Sequence, residues 1–143
     1  MGARLSVTDW VDGGLEIEQS LRFAQELKKV GCDYIDVSSG ALDPRQQVPF
    51  APGYHVGFAE RIKKEVGITT MVVGLITGAK QAEEIVASGK ADVVVLGRGV
   101  LFDPRWSWHA AEELGVDFKY APKMTPAHPS LRPWVFPNRS KKA

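Results

Sequence analysis

Cys32 is the only cysteine in 143 residues, so no disulfide can form within the chain, and a reducing compartment is expected. No apolar run approaches the roughly 18 residues needed to span a bilayer, and no signal-peptide pattern opens the chain. A cytoplasmic protein without a membrane partner is therefore the expectation. His55, His109 and His128 lack metal-ligand spacing, so no metal site is assigned. Gly97-Arg98-Gly99 has no third glycine where a dinucleotide fingerprint needs one. Residues 119 to 143 contain no acidic side chain, but they hold 6 basic ones and five of the nine prolines. They read as an irregular, basic, proline-rich tail behind a domain at 1–118. Such a tail suits an anionic partner, although most are merely solvated.

What is present is the content of one ordinary domain, 44% hydrophobic and 24% charged. Arg4 to Thr8 predicts a strand with Leu5 and Val7 on one face, and Ile17 to Val30 a helix closed by Gly31. Tyr34 to Ser38 follows as a strand, then a long loop through Pro44, Pro49 and Pro52, then a helix from about Tyr54 to Val66. Thr70 to Val73 and Val93 to Leu96 predict two more strands, with helices at Lys80 to Ser88 and about Trp106 to Leu114. Val93 to Leu96 is apolar without alternation, as in a parallel strand covered on both faces. Cys32, between a helix and a strand, reads as a small buried thiol.

Four strand-then-helix units mean an α/β fold with a parallel sheet. Either an open doubly wound sheet or part of a (β/α)8 barrel would satisfy the order. Barrels place the active site at the carboxyl ends of the strands and often bind a phosphate at the loops after the last two. Here the last two strands run into GLITG (74 to 78) and GRG (97 to 99), which favours the barrel. In the second turn glycine permits close approach or a positive φ, and Arg98 offers a fixed fork of donors for a phosphate or carboxylate. A whole barrel takes about 250 residues, so four units are expected to supply only half of a (β/α)8 TIM barrel, which the resemblance given below implies is its C-terminal half. Such a half barrel would leave two open strand edges and an apolar inner face in need of cover.

Other polar groups carry less. Ser38 and Ser39, beside Gly40, invite a nucleophile reading. No histidine stands in a recognisable triad context, and they are taken as loop hydrogen bonders. Tyr54, Leu75 and Leu96 are taken as packing residues.

RLSVTDW, DVSSGA, PGYHVGFAERIKKE, VVGLIT with QAEEIV, and VVVLGRGVLFDPRW occur in order across residues 3 to 116. Together they resemble the C-terminal half of the old yellow enzyme family, in its thermophilic-like branch of NADPH dehydrogenases and ene-reductases. The resemblance implies an FMN-containing barrel that takes hydride from NADPH and reduces α,β-unsaturated carbonyl compounds. It implies that Arg4 faces the flavin N1 and C2 carbonyl, where a guanidinium stabilises negative charge. It also implies that Gly74 lies near the phosphate and that Gly97 and Arg98 hold it. Arg132-Pro133-Trp134 resembles a terminal arginine element that reaches a neighbouring subunit's active site, though Pro133 and the extension through Lys142 depart from the pattern.

The family's amino-terminal half supplies the flavin N5 edge, a histidine pair for the substrate carbonyl and a tyrosine proton donor. None has a counterpart among these residues, so no catalytic residue is assigned. The expected partners are an enone-type substrate and either a second copy or a complementing amino-terminal half barrel. A noncatalytic FMN- or phosphate-binding half barrel is an alternative. A flavin-dependent tRNA dihydrouridine synthase fragment is another, since its last strand ends in a similar Gly-Arg-Gly. Nucleic acid is not the expected partner, because the tail has no evident RNA-binding module.

Overall fold

A computed structural model describes residues 1–40 and 43–127. The chain divides into two compact units, Met1–Pro104 and Arg105–Ala143. The first holds β1 (Gly2–Ser6), α1 (Ile17–Lys29), β2 (Tyr34–Ser38), α2 (Val56–Val66), β3 (Thr69–Val72), α3 (Ala79–Ala87), β4 (Val93–Val94) and the short α4 (Arg98–Phe102). Its four strands form one sheet in the order β1-β2-β3-β4, every pair parallel. This is the strand-then-helix α/β order expected of part of a (β/α)8 barrel.

Register and the two-residue strand period decide what each face carries. Leu5, Val37 and Val72 lie in one row, and Ala3, Ile35 and Thr70 in another. Ile35, Val37, Thr70 and Val72 are all fully buried. They pack with Leu21 and Ala24 of α1, Ala59, Ile62 and Val66 of α2, and Ile85 of α3. The helical apolar stripes read from the sequence thus meet one face of the sheet, and that contact is the core.

The opposite face carries a row of Arg4, Asp36, Met71 and Val93. All four are exposed or half-exposed. The expectation of an apolar inner face is therefore corrected: Arg4, Asp36, Ser6 and Ser38 place polar groups on its β1–β2 half, while Tyr34, Met71 and Val93 contribute apolar surface.

β1, β4 and α4 depart from expectation in ways that matter for the site. β1 lies two residues earlier, because Ser6 pairs with Ser38, the last residue of β2, and Thr8 has no strand partner. β4 is two residues long, and Val93 is 41% exposed rather than covered on both faces. It is an edge strand, paired on β3 alone, so its unbroken apolar run does not mark two buried faces. The short α4 was not expected at all, because five residues carry too little periodicity to be recognised. Cys32 is half-buried against the core and donates to the Tyr34 carbonyl at 3.3 Å.

Helix ends follow local chemistry. The Glu16 amide donates to Gln19 Oε1 at 2.8 Å ahead of α1, one half of a capping box. Gly67 ends α2 at φ 67, where a side chain would be strained. Lys28 of α1 donates from Nζ to the Val66 and Gly67 carbonyls at 2.8 and 3.0 Å, satisfying acceptors that α2 leaves open. In the second unit, α5 (Trp106–Glu113) precedes a 3-10 helix (Pro122–Ala127). There Trp108 packs edge-on against Tyr120 at 4.6 Å, and the Arg105 guanidinium lies 5.3 Å from the Trp108 ring.

Ile62 is fully buried at the centre of the helix–sheet contact. Ile62→Ala is expected to lower unfolding stability by about 2–5 kcal/mol. Phe102→Ala, at a residue 94% exposed, should change it by less than about 0.5 kcal/mol. Urea denaturation of the two variants checks the assignment of the core.

Candidate functional site

The loops leaving the carboxyl ends of the strands enclose a cavity of about 470 Å³. In sheet order its wall is formed by Arg4, Ser38, His55, Gly74 and Gly97 with Arg98. The four cofactor-site residues named from the sequence, Arg4, Gly74, Gly97 and Arg98, therefore share one cavity. Arg132 and His128 lie outside the described residues. Among the described residues, no three histidine, cysteine or carboxylate side chains are grouped to hold a metal ion.

Arg4 projects from β1 opposite Asp36. Its Nη1 donates to Asp36 Oδ2 at 2.9 Å and its Nη2 to Ser38 Oγ at 3.0 Å. These bonds fix the plane of a guanidinium that is still 58% exposed, so it retains donors for a further acceptor. The second Asp36 oxygen is buried and has no hydrogen-bond partner among the described residues.

After β3 the backbone turns through two positive φ angles, 131° at Gly74 and 49° at Leu75. Leucine in that region costs about 1–3 kcal/mol. Leu75 is partly exposed and lines the cavity. A Cβ on Gly74 would lie 2.8 Å from His55 Nδ1 and 3.1 Å from the Tyr54 ring. The glycine is thus required by the two rings packed on it as well as by the turn. Tyr54, expected only to pack, also lines the cavity, with its ring centroid 3.9 Å from that of His55.

His55 is 1% exposed. Its Nδ1 lies 2.6 Å from the Val73 carbonyl, an obligate acceptor, so Nδ1 carries the proton. Nε2 then accepts from Ser39 Oγ at 2.6 Å, and Ser39 Oγ accepts from Trp10 Nε1 at 2.7 Å. Sequence reading saw no histidine partner for the serines. The residues are 16 and 29 positions apart, with Ser39 and His55 at opposite ends of the loop between β2 and α2 and Trp10 on the loop after β1, and no local pattern announces them. The Ser–His contact has the spacing of a nucleophile and its base. However, a carbonyl stands where a triad has a carboxylate, and burial pushes the His55 pKa down. The Val73 carbonyl opposes this shift, Arg4 adds to it and Asp36 opposes it. The pair is poorly suited to accept a proton and well suited to tie loops together.

At the far side, Gly97 has φ −91 and ψ −95 and precedes α4. Neither it nor Gly99 takes a positive φ, which corrects one of the two roles considered for this pair. The other role fits: an added Cβ at either glycine would meet no protein atom within 4 Å, leaving the backbone open to approach. Arg98 is exposed and has no side-chain partner among the described residues.

Residues 1–116 match the NADH:flavin oxidoreductase / NADH oxidase family. The chain belongs to that family. This bears out the resemblance to the old yellow enzymes, and the family's fold is a (β/α)8 barrel of which this member matches part. It is 46% identical over 113 residues to an NADPH dehydrogenase of Geobacillus thermodenitrificans strain NG80-2, covering 79% of this chain and 33% of the relative. Against the NADPH dehydrogenase of Listeria innocua serovar 6a the figures are 43% over 120 residues, 84% and 35%. Against that of Bacillus licheniformis they are 45% over 113 residues, 79% and 33%. The chain therefore spans about a third of the length of these curated relatives.

Two outcomes are expected of this geometry. Gly74→Ala should cost about 1–3 kcal/mol of stability from φ strain alone, with further loss from the clash at His55, read by urea denaturation. The depressed His55 pKa means that the unfolded chain, with an ordinary value of 6.5, takes up a proton before the folded chain does. The His55 contribution is thus constant above about pH 6.5 and is lost as pH falls from there through the lower folded value. His55→Gln should flatten this part of the stability profile below the ordinary histidine value of 6.5, measured by denaturation at a series of pH values.

Proposed function

We propose that this chain forms the phosphate side and one ring edge of an FMN site in an NADPH-dependent oxidoreductase acting on α,β-unsaturated carbonyl compounds. The observation that carries the reading is a single cavity at the carboxyl ends of the strands that joins Arg4 to Gly97 and Arg98. Its size lies within the range of about 300–1,000 Å³ usual for small-ligand sites.

The residues present fit the group. Arg98 is a cation without a side-chain partner among the described residues, beside a glycine whose open side admits close approach, the pairing that a phosphate dianion rewards. Arg4, its plane fixed by Asp36 and Ser38, would hold the electron-rich N1 and C2 carbonyl edge of the ring. Leu75 offers an apolar contact between the two charged ends of the cavity. FMN, when bound, supplies the acceptance of hydride from NADPH and its delivery to the β carbon of the acceptor. The chain's own contribution is to bind and orient the cofactor at these two ends.

Substrate-binding and proton-donating groups would come from a second polypeptide, either a complementing amino-terminal half barrel or another copy of this chain. The uncovered face bearing Met71 and Val93, and the open edges of β1 and β4, support such a partner. A noncatalytic half barrel that binds FMN shares the same cavity and differs only in lacking that partner. The NADPH dehydrogenase relatives favour this chemistry over a tRNA dihydrouridine synthase. No helix among the described residues is long and apolar enough to cross a membrane, and a cytoplasmic location remains part of the proposal.

Titration of the purified chain with FMN, read by flavin fluorescence, tests the site. Arg98→Ala is expected to weaken binding about tenfold to a hundredfold, as loss of a charge-assisted hydrogen bond of roughly 1.5–3 kcal/mol implies. A folded chain that binds no FMN, or binds it equally well without Arg98, would overturn the proposal.

A further inference from the structure

The turn between Val73 and Ile76 is held on its leading side by the segment Gly53 to His55, which opens the PGYHVGFAERIKKE stretch. The Gly53 amide donates to the Gly74 carbonyl at 2.8 Å. Two residues on, His55 Nδ1 donates to the Val73 carbonyl at 2.6 Å. Ile76, just beyond, is 4% exposed and belongs to the core. Leu75 is thus enclosed by fixed points on either side while its own φ stands at 49°. A bulky residue persists in that region only where its surroundings over-determine it. Here the surroundings can be named.

His55 is itself fixed by what its other nitrogen accepts. Ser39 Oγ donates to Nε2, and the Trp10 indole N–H donates to Ser39. The loops after β1, β2 and β3 are thereby joined through one buried ring that donates on one side and accepts on the other. No second proton is available on a neutral imidazole, so the direction of the whole chain of bonds is set.

We propose that His55 is a positioning residue that locks these three loops together and holds Leu75 in its left-handed conformation, so that the leucine side chain forms a wall of the cavity. Leu75 is then a shape-determining contact for whatever flat or apolar group lies between Arg4 and Arg98. The importance of that wall for FMN rests on the function proposed above; the lock itself does not.

Nuclear magnetic resonance of the full 143-residue chain tests the lock. Three reporters are read: the His55 ring nitrogens for tautomer, the one-bond Cα–Hα coupling of Leu75 for the sign of φ, and hydrogen exchange at the Trp10 indole and the Gly53 amide. The expected pattern is an Nδ1–H tautomer, a positive φ and protected protons at both reporters. His55→Leu, which keeps an apolar side chain but no donor or acceptor, should lose the positive φ and speed both exchanges tenfold or more. His55→Gln, which keeps one donor and one acceptor, should hold the positive φ and change exchange less than threefold.

An Nε2–H tautomer in the unaltered chain overturns the proposal. So does a folded His55→Leu variant with unchanged φ and exchange, or a folded His55→Gln variant that behaves like His55→Leu. If His55→Leu does not fold, the tautomer and His55→Gln decide alone. An FMN titration of the same samples separates the two claims. Absence of binding by the unaltered chain would remove the flavin reading and leave the lock to be judged by its own reporters.

Discussion

Parallel pairing of Arg4 with Asp36, and of Asp36 with Met71, is the constraint on which the rest of the structure depends. Because side chains alternate along a strand, this register fixes both faces at once. It sends Ile35, Val37, Thr70 and Val72 into the helices and leaves Arg4 and Ser38 side by side on the opposite face. A slip of one residue would bury the arginine among leucines and valines and expose the core. The arrangement of charge at the cavity and the hydrophobic stability of the fold are therefore one decision. The apolar contact, at about 25 cal/mol per Å² of buried surface, enforces the placement of Arg4 more firmly than its exposed ion pair with Asp36 does.

The cavity is polar at its two ends for different reasons. At the β1 end, Arg4 is pinned by a carboxylate and a hydroxyl, so its orientation is fixed before any ligand arrives. At the β4 end, Arg98 has no side-chain partner among the described residues and is flanked by two glycines. A preorganised cation suits delocalised charge on a ring edge, whereas an unpaired one on open backbone suits a compact anion that brings its own geometry. Between them, the turn at Gly74 and Leu75 is the most constrained backbone in the site. The ring of His55 joins the loops, and together with the Tyr54 ring and the positive φ it excludes a side chain at Gly74.

Features governed by near neighbours were legible in the sequence. The extent of β2, the span of α1 and its closure at Gly31 follow from residues within a turn of one another. Arg4, Gly74, Gly97 and Arg98 were legible as a group through ordered motifs, and the cavity that unites them follows from their common position at the carboxyl ends of the strands. What was not legible depends on distance or on context. The exposure of Val93 follows from β4 being an edge, which its own apolar run does not reveal. The bonds from Trp10 to Ser39 to His55 and on to the Val73 carbonyl require three loops to converge. Tyr54 and Leu75 face the cavity because of the turn they border, and their residue types alone suggested packing.

The ammonium of Lys28, set against the last carbonyls of α2, has a consequence for cooperativity. It places the charge of one helix on the negative pole of the next, and Gly67, which it also contacts, leads within two residues into β3. Fraying of the final turn of α1 would uncover the end of α2 and loosen the entry to the third strand. The first two βα units and the start of the third are thus coupled into one opening unit rather than a string of separable modules.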